Sequence, residues 1–222
     1  MAMTLVYHGS PQVVERPNLA KCRLHSDYGR AFYCTFDEDL AREWACEDAH
    51  SAGYLNTYSV DFDKLSILDL DDDPNGVLAW IAVLLANRRI DREWDTDSDI
   101  AKFVELFGVN LDKHDVVTGY RADDSYFSIA RAFVSGTITD IQLADSLRLG
   151  ELGRQAAFRT QTAIEALSFQ SAQRVDPSVW GTRRIRRDRK ARQEFRTIRK
   201  TKSHEGRRIF KILETDGNGV DR

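Results

Sequence analysis

Apolar positions along this chain recur in two rhythms. Alternation of polar and apolar residues, which sends successive side chains to opposite sides of a strand, runs through 54–62. Short β-prone runs at 4–8, 31–35, 64–70, 114–119, 154–159 and 169–175 read as further strands. Helical spacing takes over elsewhere. Leu40, Ala41, Trp44 and Ala45 predict an amphipathic helix over 37–50, and Ile100, Phe103, Val104 and Phe107 predict one over 99–107. Residues 77–89 are apolar without alternation and predict a buried helix. Helices are also predicted over 126–133, 139–149 and 160–167. Start signals accompany several of these: Thr35 with Glu38 as a capping box, Thr139 or Asp140, and Thr160. Residues 11–30 read as loop and 71–76 (Asp-Asp-Asp-Pro-Asn-Gly) as a turn. Strands and helices follow one another without regular alternation, so the expected class is α+β.

Composition narrows the picture. The chain has 222 residues, 42% hydrophobic and 30% charged, which excludes collagen-like and wholly disordered classes. No apolar run approaches the roughly 20 residues of a membrane-spanning helix, and the first residues carry no secretory pattern. Cys22, Cys34 and Cys46 are odd in number and lack CxxC spacing, so neither a disulfide framework nor a structural zinc site is expected. The reducing cytoplasm is the expected compartment.

Charge divides the chain in two. The whole carries −3, but residues 176–222 hold 15 Lys+Arg against 7 Asp+Glu, a net +8, which leaves −11 on residues 1–175. An acidic domain over 1–175 and a basic helical extension over 176–222 follow. The extension suits nucleic acid or an acidic protein partner. It equally suits docking on its own acidic body, with Ile185, Phe195, Ile198 and Ile209 as a narrow apolar stripe.

Motifs for common chemistries are missing. His8, His25, His50, His114 and His204 form no metal-ligand spacing, so no metal is expected, and there is no GxSxG, GxGxxG or Walker A segment. The Asp69, Asp71, Asp72 and Asp73 knot reads as a solvated turn, and Cys34, Trp44 and Trp80 read as packing. One pair of segments stands out. Tyr7-His8-Gly9-Ser10 ends the first strand, and Gly29-Arg30-Ala31-Phe32-Tyr33-Cys34-Thr35 runs through the second. A strand-end His beside a ring-bearing strand, each with a glycine, can form a slot for a flat aromatic ligand. A structural His and a core Tyr are the competing readings of the same residues.

These segments resemble the nicotinamide-binding core of the diphtheria-toxin and poly-ADP-ribose-polymerase branch of ADP-ribosyltransferases, with its His-Gly on the first strand and Tyr on the second. That branch opens a late strand with Glu; Gln155-Ala156-Ala157-Phe158-Arg159-Thr160 occupies the matching place here. More closely, the chain is similar to a bacterial family labelled domain of unknown function 3990. The similarity runs over about residues 5–170, through Tyr7 to Pro11, Asp27 to Thr35, Glu43 to Ala45, Asn87-Arg88, Asp115 to Gly119, Ala122-Asp123 and Gln155 to Thr160. The resemblance implies an ADP-ribosyltransferase-like split β-sheet core ringed by helices, with NAD as substrate. In it His8 bonds the adenosine-side ribose, and the Gly9 backbone holds the nicotinamide amide. Tyr33 stacks on the nicotinamide ring with Phe32 or Tyr28 in support, and Ser10 and Thr35 line the pocket. Gln155 faces the 2′-hydroxyl of the nicotinamide ribose. His8, Tyr33 and Gln155 are then the catalytic set.

Gln155 brings no charge, so Glu151, Glu165 or Asp123 is a candidate to supply the acid, and Arg88 or Arg30 a candidate phosphate contact. The loss of the Glu points away from chain elongation and toward mono-transfer. The resulting expectation is a toxin- or effector-type mono-ADP-ribosyltransferase acting on a protein or nucleic-acid acceptor, with NAD hydrolysis as a side activity. The alternatives are an NAD- or nucleotide-binding module without turnover, and a nucleic-acid-binding protein acting through 176–222.

Overall fold

Seven strands join in one mixed sheet in the computed structural model of the chain, which describes residues 3–88, 98–121, 124–149, 153–201 and 205–217. The strands are β1 (Thr4–Ser10), β2 (Phe32–Thr35), β3 (Gly53–Val60), β4 (Ile67–Asp69), β5 (Val116–Tyr120), β6 (Arg154–Phe158) and β7 (Ser168–Val175), in the order β4-β5-β6-β2-β1-β3-β7. Every neighbouring pair is antiparallel except β4 with β5. The helices among the described residues are α1 (Glu38–Ala45), α2 (Val77–Asn87), α3 (Ser98–Phe107), α4 (Asp124–Val134), α5 (Asp140–Leu147), α6 (Gln161–Glu165), α7 (Pro177–Lys200) and α8 (Ile209–Asp216). The class is α+β. No helix among the described residues is long and apolar enough to cross a membrane.

Three local expectations shift, each for a physical reason. Thr35 does not cap α1. It pairs with Gln155 as the last residue of β2, and its hydroxyl donates to the Arg154 carbonyl at 2.9 Å while accepting from Asp37 N–H. Asp37 is the N-cap instead, its carboxylate accepting from Leu40 N–H. The helix predicted to residue 50 stops at Ala45. The strand predicted over 64–70 shrinks to three residues, because Asp61 and Asp69 each bond the N–H two residues on and turn the chain into short 3-10 segments. The caps at Thr139, complete with its Gln142 capping box, and at Thr160 are as the sequence predicts.

Ladder partners share a face of the sheet, so register sorts the core. One face gathers Val6, Phe32, Cys34, Tyr58, Val116, Ala156 and Phe158 with Ala163 and Ile164 of α6. The other presents Val117 and Ala157 to a larger core of Trp80, Ile81 and Leu84 on α2, Phe103 on α3, Phe133 on α4 and Leu143 on α5. Phe195 of α7 and Ile209, Ile212 and Leu213 of α8 belong to that same core. The basic segment is therefore part of the helical layer, and packing shows no break at residue 176.

Two glycines let α1 lie flat on the sheet. A Cβ on Gly9 would sit 1.9 Å from the Ala41 carbonyl oxygen, and one on Gly53 would sit 1.9 Å from that of Ala45. From the other side α7 clamps α1. Arg183 reaches Asp39 (2.9 Å) and Glu43 (3.0 Å), Arg187 reaches Glu43 (2.9 Å), and Arg184 donates to the Cys46 carbonyl at 2.8 Å. Glu43 is 2% exposed. A buried pair of this kind adds little net stability but is costly to break, so it fixes where α7 sits.

Candidate functional site

The sheet forks between its two central strands. β1 pairs with β3 over seven residues and β2 with β6 over four, yet β1 and β2 share a single ladder pair, Tyr7↔Thr35. Beyond it the strands part where His8, Gly9 and Ser10 look across at Phe32 and Tyr33. The imidazole bridges the gap: His8 Nδ1 lies 2.7 Å from the Tyr33 carbonyl oxygen. A carbonyl only accepts, so Nδ1 carries the proton. Burial pushes the imidazole below its ordinary value, the carbonyl bond opposing. The ring is therefore neutral near pH 7, with Nε2 left as an acceptor.

That preference has a stability consequence. Below about pH 6.5 an unfolded His takes up a proton that His8 resists. The neutral imidazole's contribution is intact above that pH and is lost as pH falls toward the lowered folded value. Urea titrations at descending pH should show this loss in the wild type and a flatter response in His8→Asn; identical profiles would contradict it.

The sequence-predicted site residues divide between the two faces. His8 stacks on Phe32, ring centroids 4.3 Å apart, on the face that also holds Ser10. Tyr33 lies on the opposite face with Thr35, Gln155 and Gly9. One slot walled jointly by imidazole and phenol is thus not what the sheet builds; the two rings flank the fork from opposite sides. The Ser10 hydroxyl donates to the Gln12 carbonyl at 2.6 Å, and Thr35 is fully buried with its hydroxyl spent as above. Tyr28 is fully buried too. Its hydroxyl and the Trp80 indole N–H both donate to the Tyr120 carbonyl, so it braces the floor beneath Gly119.

Tyr33 is held by its own loop. Its hydroxyl donates to the Gly29 carbonyl at 2.8 Å and accepts the Tyr28 N–H at 2.9 Å, a closure that uses the positive φ (78°) of Gly29. Burial and the nearby Asp27 charge hold both phenols well above their ordinary value, so neither works as an acid or base near neutrality.

Gln155, 3% exposed, is oriented by a group that sequence reasoning left without a role. Its Nε2 donates to Asp27 Oδ2 at 2.8 Å and to the Tyr120 carbonyl at 3.2 Å. Asp27 is itself 3% exposed, and its Oδ1 lies 2.8 Å from Arg88 Nε at the end of α2. Two acceptors take the amide N–H groups, which leaves Oε1 as the acceptor Gln155 can offer a ligand. Arg88 is thereby engaged with Asp27, while Arg30 is exposed. Glu165 is exposed on α6, on the far face, where it accepts from Gln161. It does not supply the acid beside Gln155. Glu151, Asp123 and His204 lie outside the described residues.

Trp44 departs from its predicted packing role. It is half-buried on α1 against Gly9, whose Cβ position is 2.9 Å from Trp44 Cβ. The Arg121 guanidinium stands 4.2 Å over its ring, and its shielded indole N–H has no hydrogen-bond partner among the described residues. The signals for Asp27 and Trp44 were in the motifs Asp27-Tyr28-Gly29 and Glu43-Trp44-Ala45. Charge in a loop and a Trp on a helix stripe are too common to stand out. Cys34 is fully buried and its thiol is pushed up by burial, which makes it inert. Among the described residues no group of three His, Cys, Asp or Glu could hold a metal ion.

In sum of chemistry, the fork offers a neutral imidazole acceptor on one face. On the other it offers the partly buried rings of Tyr33 and Trp44, an indole N–H without a hydrogen-bond partner among the described residues, and an amide oxygen backed by a buried carboxylate. In comparison with known proteins, a family model described as "Protein of unknown function (DUF3990)" matches residues 3–169. No curated protein and no solved structure matches.

Proposed function

The chain belongs to the DUF3990 family, and from that premise we propose that it is an NAD-dependent mono-ADP-ribosyltransferase on an ADP-ribosyltransferase-like split sheet, transferring ADP-ribose to a macromolecular acceptor. The observation that carries the reading is the β1–β2 fork, with His8 bonded across it to Tyr33 and the Gln155 amide fixed beside it. A ligand that uses both faces must have two heads. A dinucleotide draped over the fork does so, its nicotinamide half against Tyr33, Trp44 and Gly9 and its adenosine-side ribose against His8 Nε2.

The reaction then needs little acid or base. The bond between the ribose C1′ and the nicotinamide nitrogen breaks, and nicotinamide departs neutral with the electron pair. C1′ gains cationic character until an acceptor oxygen or nitrogen bonds to it and gives up its proton; with water as acceptor the product is free ADP-ribose. Holding the substrate bent and the leaving ring fixed supplies most of the acceleration. Gln155 Oε1 accepts from the ribose hydroxyl as charge builds, its polarity reinforced by the Asp27 carboxylate behind it.

Nicotinamide release from NAD by the purified chain is the test. Gln155→Ala should lower it by about a hundredfold, the scale of one lost transition-state hydrogen bond. His8→Ala should weaken NAD binding by about tenfold through one lost hydrogen bond and leave inhibition by free nicotinamide unchanged, whereas Trp44→Ala should weaken both. No NAD binding would overturn the reading. A second reading, NAD binding without turnover, is favoured by the uncharged Gln155. Binding without release, with release gained in Gln155→Glu, would establish it.

A further inference from the structure

Basic side chains of α7 converge on a groove against the end of α5. Arg186 and Lys190 stand one helical turn apart, Arg183 and Arg187 border them, and Arg148 faces them from beyond α5, around a space of 430 Å³. Glu194 is the one acidic side chain lining it among the described residues. Arg183 and Arg187 are engaged with Asp39 and Glu43. Arg148 and Arg186 have no acidic partner among the described residues. Glu194 of α7 pairs with Lys190 at 3.8 Å, which leaves Arg148 and Arg186 as like charges facing one another across the groove.

A second recess adjoins the groove, sharing Leu149 with it. It holds 260 Å³, is floored by Ile129, Leu149, Ala191 and Phe195, and is rimmed by Arg192, Arg196 and Arg199. The two lie side by side along α7, and Arg186 to Arg199 covers about 20 Å of helix at 1.5 Å per residue.

We propose that this face of α7 binds single-stranded nucleic acid, with phosphates along Arg148, Arg186 and Lys190 and one base in the recess floored by Ile129, Leu149 and Phe195. Arginine's planar fork matches phosphate oxygens two at a time. A flat base with an apolar face and polar edges fills a greasy recess ringed by donors, and successive phosphates follow the helix. An acidic peptide would satisfy the groove and leave the recess unused. The proposal stands whether or not the chain turns over NAD.

The test is fluorescence anisotropy of a labelled oligothymidylate against the full chain over a range of salt. Arg148→Glu and Arg186→Glu, both at exposed positions, should each weaken binding by about tenfold and flatten the salt dependence by roughly 0.7 in logarithmic slope per lost phosphate contact. Lys64→Glu, exposed in the short turn between β3 and β4, should leave both unchanged. An abasic strand of equal length should bind several-fold more weakly. Absence of binding at low salt overturns the proposal, as does equal loss in Lys64→Glu. Polyglutamate binding as tightly as the oligonucleotide, with the same sensitivity to positions 148 and 186, overturns it in favour of an acidic protein.

Discussion

Gly9→Ala is expected to remove about 3 kcal/mol or more of stability, the upper end of what overpacking costs. The added methyl would stand 1.9 Å from the Ala41 carbonyl oxygen, 2.5 Å from Ala45 N and 2.9 Å from Trp44 Cβ. Two of these are backbone atoms of α1, which no rotamer change can move aside. Relief requires lifting the helix, and lifting it pulls on the Glu43 contacts with Arg183 and Arg187. For a chain of this length the loss corresponds to a fall in melting temperature of about 6–12 °C. Gly53→Ala meets the Ala45 carbonyl in the same way. Because both methyls displace one helix, the double variant should lose less than the sum of the singles. A Gly9→Ala protein that melts within about 2 °C of the wild type would mean that α1 does not seat on β1.

Asp27→Asn is expected to cut nicotinamide release by about a hundredfold while NAD affinity changes by less than about threefold. Asp27 touches no substrate in the proposed arrangement; it is a positioning residue that fixes which end of the Gln155 amide faces the ribose. Asparagine keeps the volume but brings an NH₂ that can claim Gln155 Oε1 for itself. Asp27→Ala goes further, stripping the carboxylate from Arg88 and Gln155 together. Breaking a buried pair costs about 3–5 kcal/mol, reduced here to about 2–3 because the Arg88 side chain keeps 24% exposure. The two variants separate the roles. Asp27→Asn should lower kcat at nearly wild-type KM, and Asp27→Ala should also lower the unfolding midpoint. Equal turnover in wild type and Asp27→Asn would show that the amide needs no carboxylate to hold it.

Much of the fold was legible because its signals are local. Thr139 with Gln142, Thr160, the apolar run opening at Val77 and the alternation through β3 each depend on neighbours a few residues away. What escaped was set at long range. The Thr35 hydroxyl was claimed by Arg154, 119 residues on, and the carbonyl of Cys46 just past the end of α1 is met by Arg184 of α7. In the site, the placing of His8 beside the strand that carries Tyr33 was readable, but the division of their side chains between two faces depends on a register no local pattern states. Asp27 acquires meaning only through Arg88 and Gln155, and Trp44 only through Gly9 and Arg121.

The shared core of the helical layer has a consequence for anyone trimming the chain to its family-matched span. A fragment ending at residue 169 would lose β7 beyond its first residues together with Phe195, Ile209, Ile212 and Leu213. Phe133, Leu143 and their neighbours would meet water, and the β3 edge would lie bare. Apolar surface beside an unpaired strand favours self-association over solubility. The family-matched span of this protein is thus smaller than the part that packs together, and the arginine-rich α7 with α8 serves as its cover as much as its charge.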